Sequence, residues 1–160
     1  MIFITVGSQK FQFNRLLEKI DELIEKGIIA EPAFAQIGAS DYLPKNYEYT
    51  KFLQRDEFEQ RIKDSDMVIT HGGTGVIIKA VKLGKKVVAV PRLSKYSEHV
   101  DDHQIQLISQ FDELNLICPC MDTENLGDAV KKAKITNYKT YSSNTDRFIG
   151  ELKKFIETEV

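Results

Sequence analysis

A short apolar strand, a glycine-rich loop and a helix follow one another without interruption between Asp66 and Val81. The loop reads His-Gly-Gly-Thr-Gly over residues 71–75. The first amides of a helix have no intrahelical acceptor and carry the positive end of the helix dipole. Glycines let an anion approach such amides closely, so the stretch predicts a diphosphate cradle. Glycine also serves tight turns and close packing of a helix on a strand, and that alternative stays open here.

Length and charge limit the classes of protein to which the chain can belong. A chain of 160 residues, 42% of them hydrophobic, predicts one domain spanning residues 1–160 with a full core. The net charge is −2 and tryptophan is absent. Because no basic stripe interleaves with aromatic side chains, the composition predicts no nucleic-acid partner.

The cysteines and the first residues bear on the cellular compartment. Cys118 and Cys120 are separated only by Pro119, which favours reduced thiols in the cytosol over a disulfide framework. Residues 1–7 contain no basic segment followed by a long apolar one, so we expect neither a signal peptide nor a membrane-spanning helix. Any membrane association is therefore expected through a partner.

Apolar strands alternate with amphipathic helices along the chain. Strands so rich in apolar residues predict an α/β fold, a three-layer sandwich whose mostly parallel sheet is covered by helices on both faces. Gly84 is expected to end one helix, and Asp122 or Thr123 to cap another. Strands are predicted at 2–6, 33–37, 47–53, 67–70, 87–90 and 116–118, and helices within 11–28 and at about 56–63, 75–83, 101–111, 123–133 and 145–157.

The polar and glycine-bearing segments follow the ends of predicted strands. Ligands of parallel sheets bind beyond the carboxyl ends of the strands, which places these segments at one edge. The longest of them, residues 91–104, offers donors and acceptors of every kind, as recognition of sugar hydroxyls requires. The other segments are residues 7–9, 52–53 and 71–75.

Four motifs together resemble one known family. They are Gly7-Ser8, the loop 71–75, the stretch 83–92 and the stretch 98–104. In order and spacing over roughly the first 120 residues, they resemble the C-terminal, donor-binding domain of family 28 glycosyltransferases. The resemblance is greatest to small stand-alone subunits of two-component enzymes of dolichol-linked glycan, capsule or exopolysaccharide biosynthesis. It implies a Rossmann-like fold equivalent to the C-terminal half of a GT-B glycosyltransferase.

The resemblance also implies roles for individual residues. The loop glycines and Thr74 would face the diphosphate of a UDP-sugar, with His71 beside it. Phe52 and Leu53 would hold the uracil ring, and Asp102, His103 and Gln104 would contact the sugar. The expected catalytic residues are His71, Glu98 and His99, and the expected substrate-binding residues are Gly7, Ser8, Phe52, Leu53, Gly72, Gly73, Thr74, Gly75, Arg92, Asp102, His103 and Gln104.

One position departs from the family pattern. Four residues after Gly75, members of the family that the chain resembles usually carry a glutamate or aspartate that binds the ribose hydroxyls, and this chain has Lys79. An ammonium group cannot accept hydrogen bonds from a diol, so ribose recognition is altered, weakened or supplied elsewhere.

The implied function is that of a UDP-sugar-binding subunit transferring a hexose or N-acetylhexosamine to a lipid-linked acceptor. The enzyme would be an inverting hexosyltransferase, active with a membrane-anchored, acceptor-binding partner that keeps it peripheral to the membrane on the cytoplasmic side. The donor would be a substrate, and we expect no cofactor. An isolated chain could form homo-oligomers, and the helix at 145–157 is either core or a partner-docking element.

Other functions fit these residues less well. A nicotinamide- or flavin-dependent enzyme would have G-x-G-x-x-G after the first strand, where this chain has only Gly7. His99 and His103 have a helical spacing that suits zinc, but no convincing third ligand accompanies them, so no metal site is predicted. Solvated loop residues are the simpler interpretation of Glu98 and His99. A non-catalytic nucleotide-sugar sensor or scaffolding subunit remains the alternative, because of Lys79.

Overall fold

The computed structural model describes residues 1–139, together with residues 147 and 150. The strands in this part of the chain are β1 (Ile2–Thr5), β2 (Ala33–Gln36), β3 (Glu48–Thr50), β4 (Met67–Thr70), β5 (Lys86–Ala89) and β6 (Cys118–Pro119). The α-helices are α1 (Asn14–Glu25), α2 (Arg55–Asp64), α3 (Thr74–Lys82), α4 (His103–Glu113) and α5 (Leu126–Ile135). Short 3₁₀ turns occupy Ser94–Tyr96 and Thr123–Asn125.

The six strands form one sheet in the order β3-β2-β1-β4-β5-β6, and every described pairing is parallel. The chain leaves β1 toward one side of the sheet and later returns to begin β4 on the other side of β1. A crevice opens at such a reversal of strand order, beyond the carboxyl ends of the strands. The predicted Rossmann-like α/β fold is confirmed.

Two apolar clusters cover the two faces of the sheet. Alternate residues of a strand point to opposite faces. Ile2 and Ile4 accordingly pack with α1 and α5, whereas Phe3 lies in the cluster formed with α2, α3 and α4. Both faces are therefore buried beneath helices, which confirms the predicted three layers.

The ends of two elements are fixed by the features that the sequence indicated. Gly84 has a φ of +72° and its amide donates to the Val81 carbonyl (3.0 Å), while the Lys85 amide donates to the Ala80 carbonyl (3.0 Å). This is a glycine-terminated helix end, as predicted for α3. Asp122 caps the turn at Thr123–Asn125, because its carboxylate accepts a hydrogen bond from the Glu124 amide.

Some element boundaries differ from those predicted. β3 ends at Thr50 and not at Leu53, because the Leu53 amide donates to the side chain of Gln36 in place of a strand carbonyl. Helix α4 begins at His103 and not at residue 101, because the Asp101 carboxylate accepts from the His103 amide (3.0 Å) in a local turn that precedes the helix.

Three further predictions concern membrane-spanning helices, the cysteine thiols and the last helix. No helix in the described part of the chain is long and apolar enough to cross a membrane. Cys118 and Cys120 are both free and buried. The helix predicted at 145–157 lies outside the described residues, apart from residues 147 and 150.

Candidate functional site

The predicted site segments meet at one edge of the sheet. β1, β4 and β5 are neighbours in the sheet, so the loops that follow them begin side by side. Thr5 is in register with Thr70, and Thr70 with Ala89. The segments 7–8, 71–75 and 91–104 therefore surround the crevice at the reversal of strand order.

The side chain of His71 is buried beneath this edge, with only 5% of the residue exposed. A Cβ atom added at Gly7 would lie 2.8 Å from its Cε1 atom, and one added at Gly73 would lie 2.5 Å from Nε2. Real Cβ atoms do not approach other heavy atoms so closely, so the imidazole fits tightly between Gly7 and Gly73, and a side chain at either position would displace it.

The hydrogen bonds of His71 indicate its protonation. The Thr70 hydroxyl donates to the Thr5 carbonyl (2.9 Å), so its oxygen is left to accept from Nδ1 of His71 (3.2 Å). We therefore assign the proton of the neutral ring to Nδ1 and the lone pair to Nε2. Burial, and then the positive charge of Arg92, lower the pKa of His71 to about 3.

The glycines of the loop 71–75 play different roles. A Cβ atom at Gly72 would lie 2.7 Å from the Cβ atom of Gln104, and Gly73 packs on His71 as described. Apart from its chain neighbours and the backbone of its own helix, no atom lies within 4 Å of a Cβ atom built on Gly75, which is exposed. Two of the three glycines thus allow close packing of the loop, and the third leaves open space at the start of α3.

The amino end of α3 opens into this space. The helix begins at Thr74 after Gly73, no side chain caps it, and its first turn contains no acidic residue. Its first amides have no acceptor within the helix, and the positive end of the helix dipole is not neutralised locally. The arrangement suits an anionic group.

Arg92 is enclosed on all sides. Its side chain has no exposed area, and Nη1 donates to the carbonyls of Phe11 (3.0 Å), Gln12 (3.1 Å) and Glu98 (3.4 Å), while Nη2 donates to that of Val6. Burial lowers its pKa to about 10. The guanidinium group therefore joins the loops after β1 and β5, and a direct contact with a ligand phosphate would require this arrangement to open.

Glu98 is also held within the protein. It is 1% exposed, and its carboxylate accepts two hydrogen bonds from Arg15, each 3.0 Å long, and one from the Leu93 amide (3.0 Å). A carboxylate so occupied is well placed to fix the loop 93–98. His99 lies beside it, 5.4 Å from the Phe11 ring and 3.2 Å from the Asp101 carboxylate.

The residues expected at the sugar differ in exposure. Asp102 is exposed, and its carboxylate accepts from the Ser94 amide (2.8 Å) and hydroxyl (3.1 Å), which lower its pKa. His103 is partly exposed at the first position of α4. Gln104 is buried, and its Oε1 atom accepts from the amides of Gly72 (3.3 Å) and Arg92 (2.9 Å).

The segment expected at the base follows β3, which is separated from β1 by β2 in the sheet. Phe52 follows β3 with 55% of its surface exposed, and Ser8 is likewise exposed after β1. The ammonium group of Lys79 lies 3.4 Å from Glu59 and 5.9 Å from the centre of the Phe58 ring, both on α2. The departure from the family pattern is thus accompanied by an ion pair.

The described residues contain no group of three histidine, cysteine or acidic side chains placed to hold a metal ion. The candidate site consists instead of the first amides of α3, buried polar side chains and the loop at residues 91–104.

Sequence reasoning missed four residues that support the site. Arg15 lies in the first turn of α1, where the helix dipole disfavours a cation, and that anomaly was a usable signal. Thr5, Gln36 and Thr70 are polar residues at the last positions of otherwise apolar strands, and all three are buried.

A model of the glycosyltransferase family 28 C-terminal domain matches residues 1–158. The chain belongs to this family. Among its relatives, the Yarrowia lipolytica UDP-N-acetylglucosamine transferase subunit ALG13 is 27% identical over 111 residues, which cover 69% of this chain and 54% of that protein. The Saccharomyces cerevisiae protein of the same name is 37% identical over 60 residues, 38% of this chain and 28% of that one. The chain thus spans about half the length of the Yarrowia relative.

Solved structures share the fold of this family 28 domain. The glycotransferase of kitacinnamycin superposes with a TM-score of 0.64 at 18% identity, over 96% of this chain and 38% of that one. The solution structure of ALG13 gives 0.57 at 18% identity over 92% of both chains. MurG of Acinetobacter baumannii superposes with a TM-score of 0.53 at 17% identity, over 94% of this chain and 49% of that one. The predicted equivalence to one half of a GT-B glycosyltransferase is therefore confirmed for the fold.

Proposed function

We propose that this family 28 domain is the UDP-sugar-binding subunit of a two-component glycosyltransferase, transferring a hexose or N-acetylhexosamine to a lipid-linked acceptor. The observation that carries the proposal is the uncapped amino end of α3, which opens at Gly75 in the crevice of the sheet. Its relatives, named as subunits of a UDP-N-acetylglucosamine transferase, support this donor class.

In this proposal the diphosphate binds the first amides of α3. Gly75 leaves room for the phosphate oxygens, and Gly7 and Ser8 face them from β1. The exposed ring of Phe52 stacks on the uracil, with Leu53 beside it. Asp102 and His103 border the sugar, and Gln104 holds the loop amides at the correct distance.

The reaction we propose is a single displacement with inversion. An acceptor hydroxyl oxygen attacks the anomeric carbon, and the bond from that carbon to the β-phosphate oxygen breaks, with its electron pair leaving on UDP. Negative charge grows on the diphosphate during this step, and fixed amides stabilise it more in the transition state than in the ground state. The α3 amides therefore supply the catalytic contribution of this subunit.

The hydroxyl proton needs a base, and two of the candidates here are already engaged. The Glu98 carboxylate is occupied by Arg15, and His71 is buried with its Nε2 lone pair between two glycines. His71 can donate to the leaving phosphate only if the bound diphosphate raises its pKa from about 3. Of the three expected catalytic residues, His99, with 18% of its side chain exposed, remains as an acid–base candidate.

We propose that a membrane-anchored partner completes the site. It would bind the lipid-linked acceptor, supply the base across the crevice and keep this chain at the cytoplasmic face of the membrane, in capsule, exopolysaccharide or glycan biosynthesis. Purified chain alone should then bind donor without transferring sugar at full rate. Full-rate transfer to a lipid-linked acceptor by this chain alone would refute the divided site.

Calorimetric titration tests donor binding directly. UDP, UDP-GlcNAc, UDP-galactose and UDP-glucose should bind with dissociation constants between about 1 μM and 1 mM, and ADP-glucose serves as the matched control for the base. Equal binding of UDP- and ADP-sugars would contradict base recognition at Phe52. Absence of nucleotide binding, with or without a partner, would leave the second candidate, a scaffolding subunit.

The ion pair of Lys79 with Glu59 is the observation that favours this second candidate, because it places a cation where a ribose diol would need an acceptor. A nucleotide-sugar sensor without catalysis would bind UDP-sugars but would transfer no sugar even with every acceptor-binding partner present.

A further inference from the structure

Buried polar side chains and the backbone carbonyl of Thr5 form a connected path beneath the carboxyl edge of the sheet. Gln36, Thr5 and Thr70 end three neighbouring strands and lie side by side in register. Gln36 is 4% exposed, and both threonines have no exposed area. Apolar side chains would fill these positions at a lower cost of desolvation, so each polar group must be hydrogen-bonded.

The path begins at the segment after β3. The Leu53 amide donates to Oε1 of Gln36 (2.9 Å), and Nε2 of Gln36 donates to the Thr5 hydroxyl (3.3 Å) and the Gly7 carbonyl (3.4 Å). The orientation of the amide is fixed, because Leu53 presents a donor and Gly7 an acceptor. A flipped amide would lose both contacts.

The path ends at the glycine loop. The Gly7 amide donates to the Thr5 hydroxyl oxygen (3.2 Å), and the Thr70 hydroxyl joins the Thr5 carbonyl to His71. The His71 ring then lies against both Gly7 and Gly73. The position of the segment 52–53 is therefore linked to that of the loop 71–75 through the ends of three strands, β2, β1 and β4.

We propose that Gln36 is a positioning residue that couples the uracil-binding segment 52–53 to the diphosphate-binding glycines, so that the site recognises both ends of UDP as one unit. This inference rests on the proposed function and adds a specificity role for a residue that touches no ligand. Glutamine is required because this side chain must accept from the Leu53 amide and also donate to the Thr5 hydroxyl and the Gly7 carbonyl. It must also be long enough to reach these partners. A glutamate side chain at this position would accept hydrogen bonds but could not donate them. A methionine side chain would fill a similar volume without the hydrogen bonds.

Backbone NMR of the wild-type chain gives the first test. Titration with inorganic pyrophosphate should shift the amide signals of Gly7 and residues 73–76, and also those of Phe52 and Leu53, which pyrophosphate is too short to contact. Shifts confined to the glycine segments would overturn the inference without any variant. This measurement also uses no activity assay.

Variants then test the side chain itself. In Gln36→Met the pyrophosphate-induced shift at Leu53 should disappear, and affinity for UDP should fall about tenfold, as loss of an organising hydrogen bond predicts. Affinity for pyrophosphate alone should change less than about twofold. Gln36→Glu should behave similarly, because its carboxylate repels the Gly7 carbonyl. Gln60→Met, on the exposed face of α2, is the matched control and should resemble wild type in all three measurements.

The outcomes separate this inference from the proposed function. If wild type binds UDP and both variants retain wild-type affinity and the shift at Leu53, the inference is wrong and the proposed function stands. If affinity for pyrophosphate and UDP falls equally in both variants, Gln36 is only structural and the inference is again wrong. If wild type binds neither ligand, the proposed function fails, and the coupling of two ligand segments fails with it.

Discussion

The carboxylate of Glu98 receives two hydrogen bonds from the guanidinium group of Arg15, from Nε and from Nη2, each 3.0 Å long. The residues lie 83 positions apart, and Glu98 is almost completely buried. This pair attaches the loop after β5 to the start of α1. It therefore fixes the loop that borders the site, and its removal has measurable consequences.

Replacing Arg15 should destabilise the protein. Arg15→Leu leaves a buried, unpaired carboxylate, and because Arg15 is itself partly exposed we expect a loss near the lower end of about 3–5 kcal/mol in urea unfolding. The double variant Arg15→Leu/Glu98→Gln should recover part of the loss, because it removes the uncompensated charge. Lys26→Leu, which breaks the exposed pair with Glu22, is the control and should change stability little. If Arg15→Leu and Lys26→Leu lowered the free energy of unfolding equally, the structural role of Arg15 would be contradicted.

The glycines at 73 and 75 should differ in their tolerance of alanine. Gly73→Ala forces a methyl group against His71 and should cost about 1–3 kcal/mol of unfolding free energy. Gly75→Ala meets no atom and lies within a helix, so stability should stay equal or rise by up to about 1 kcal/mol.

The same pair of variants separates folding from binding. Gly75→Ala should fold normally and lose affinity for UDP, because its methyl group occupies the space proposed for the phosphates. Thermal unfolding and calorimetric titration measure the two effects. Unchanged UDP affinity in folded Gly75→Ala would place the diphosphate elsewhere.

Acidification should weaken the fold through His71. Burial lowers its pKa from 6.5 to about 3, so between these values the unfolded chain binds a proton that the folded chain excludes. Stability contributed by the neutral ring is therefore complete above pH 6.5 and decreases as the pH falls toward 3. The expected loss between pH 7 and pH 5 is roughly 2 kcal/mol.

Urea unfolding followed by circular dichroism at pH 7, 6 and 5 measures this dependence. Most carboxylates stay ionised over this range, so the change reports chiefly the proton that the folded chain excludes from His71. His71→Gln should show a smaller slope than wild type. An identical slope in wild type and His71→Gln would show that the ring does not exclude the proton.

Changing Lys79 to glutamate should strengthen UDP binding. The carboxylate can accept hydrogen bonds from a ribose diol, and we expect a gain of about five- to tenfold in affinity, the value of one such contact. Lys131→Glu, exposed on α5, controls for the change in net charge. A gain for UDP but none for pyrophosphate would assign the effect to ribose, whereas weaker UDP binding would indicate that Lys79 itself contacts the nucleotide.

The sequence predicted the architecture through local patterns. Residues close together in the chain specify the apolar strands β1 and β4 and the helix end at Gly84. A pattern along the chain was therefore sufficient to predict these elements. The meeting of the segments 7–8, 71–75 and 91–104 followed as well, since parallel strands bring their carboxyl ends to one edge. The length of β3 was mispredicted, because a side chain from β2 binds the Leu53 amide.

The composition and order of residues by themselves determined a parallel α/β fold, family membership and the glycine loop beside a helix. The tertiary structure alone decided that Arg92 and Gln104 face backbone groups of other loops, that Arg15 holds Glu98, and that His71 lies between Gly7 and Gly73. These contacts join groups far apart in the chain, and their geometry depends on how neighbouring strands and loops pack. A residue type indicates which hydrogen bonds a side chain can form, and only the packed fold determines which of them it forms.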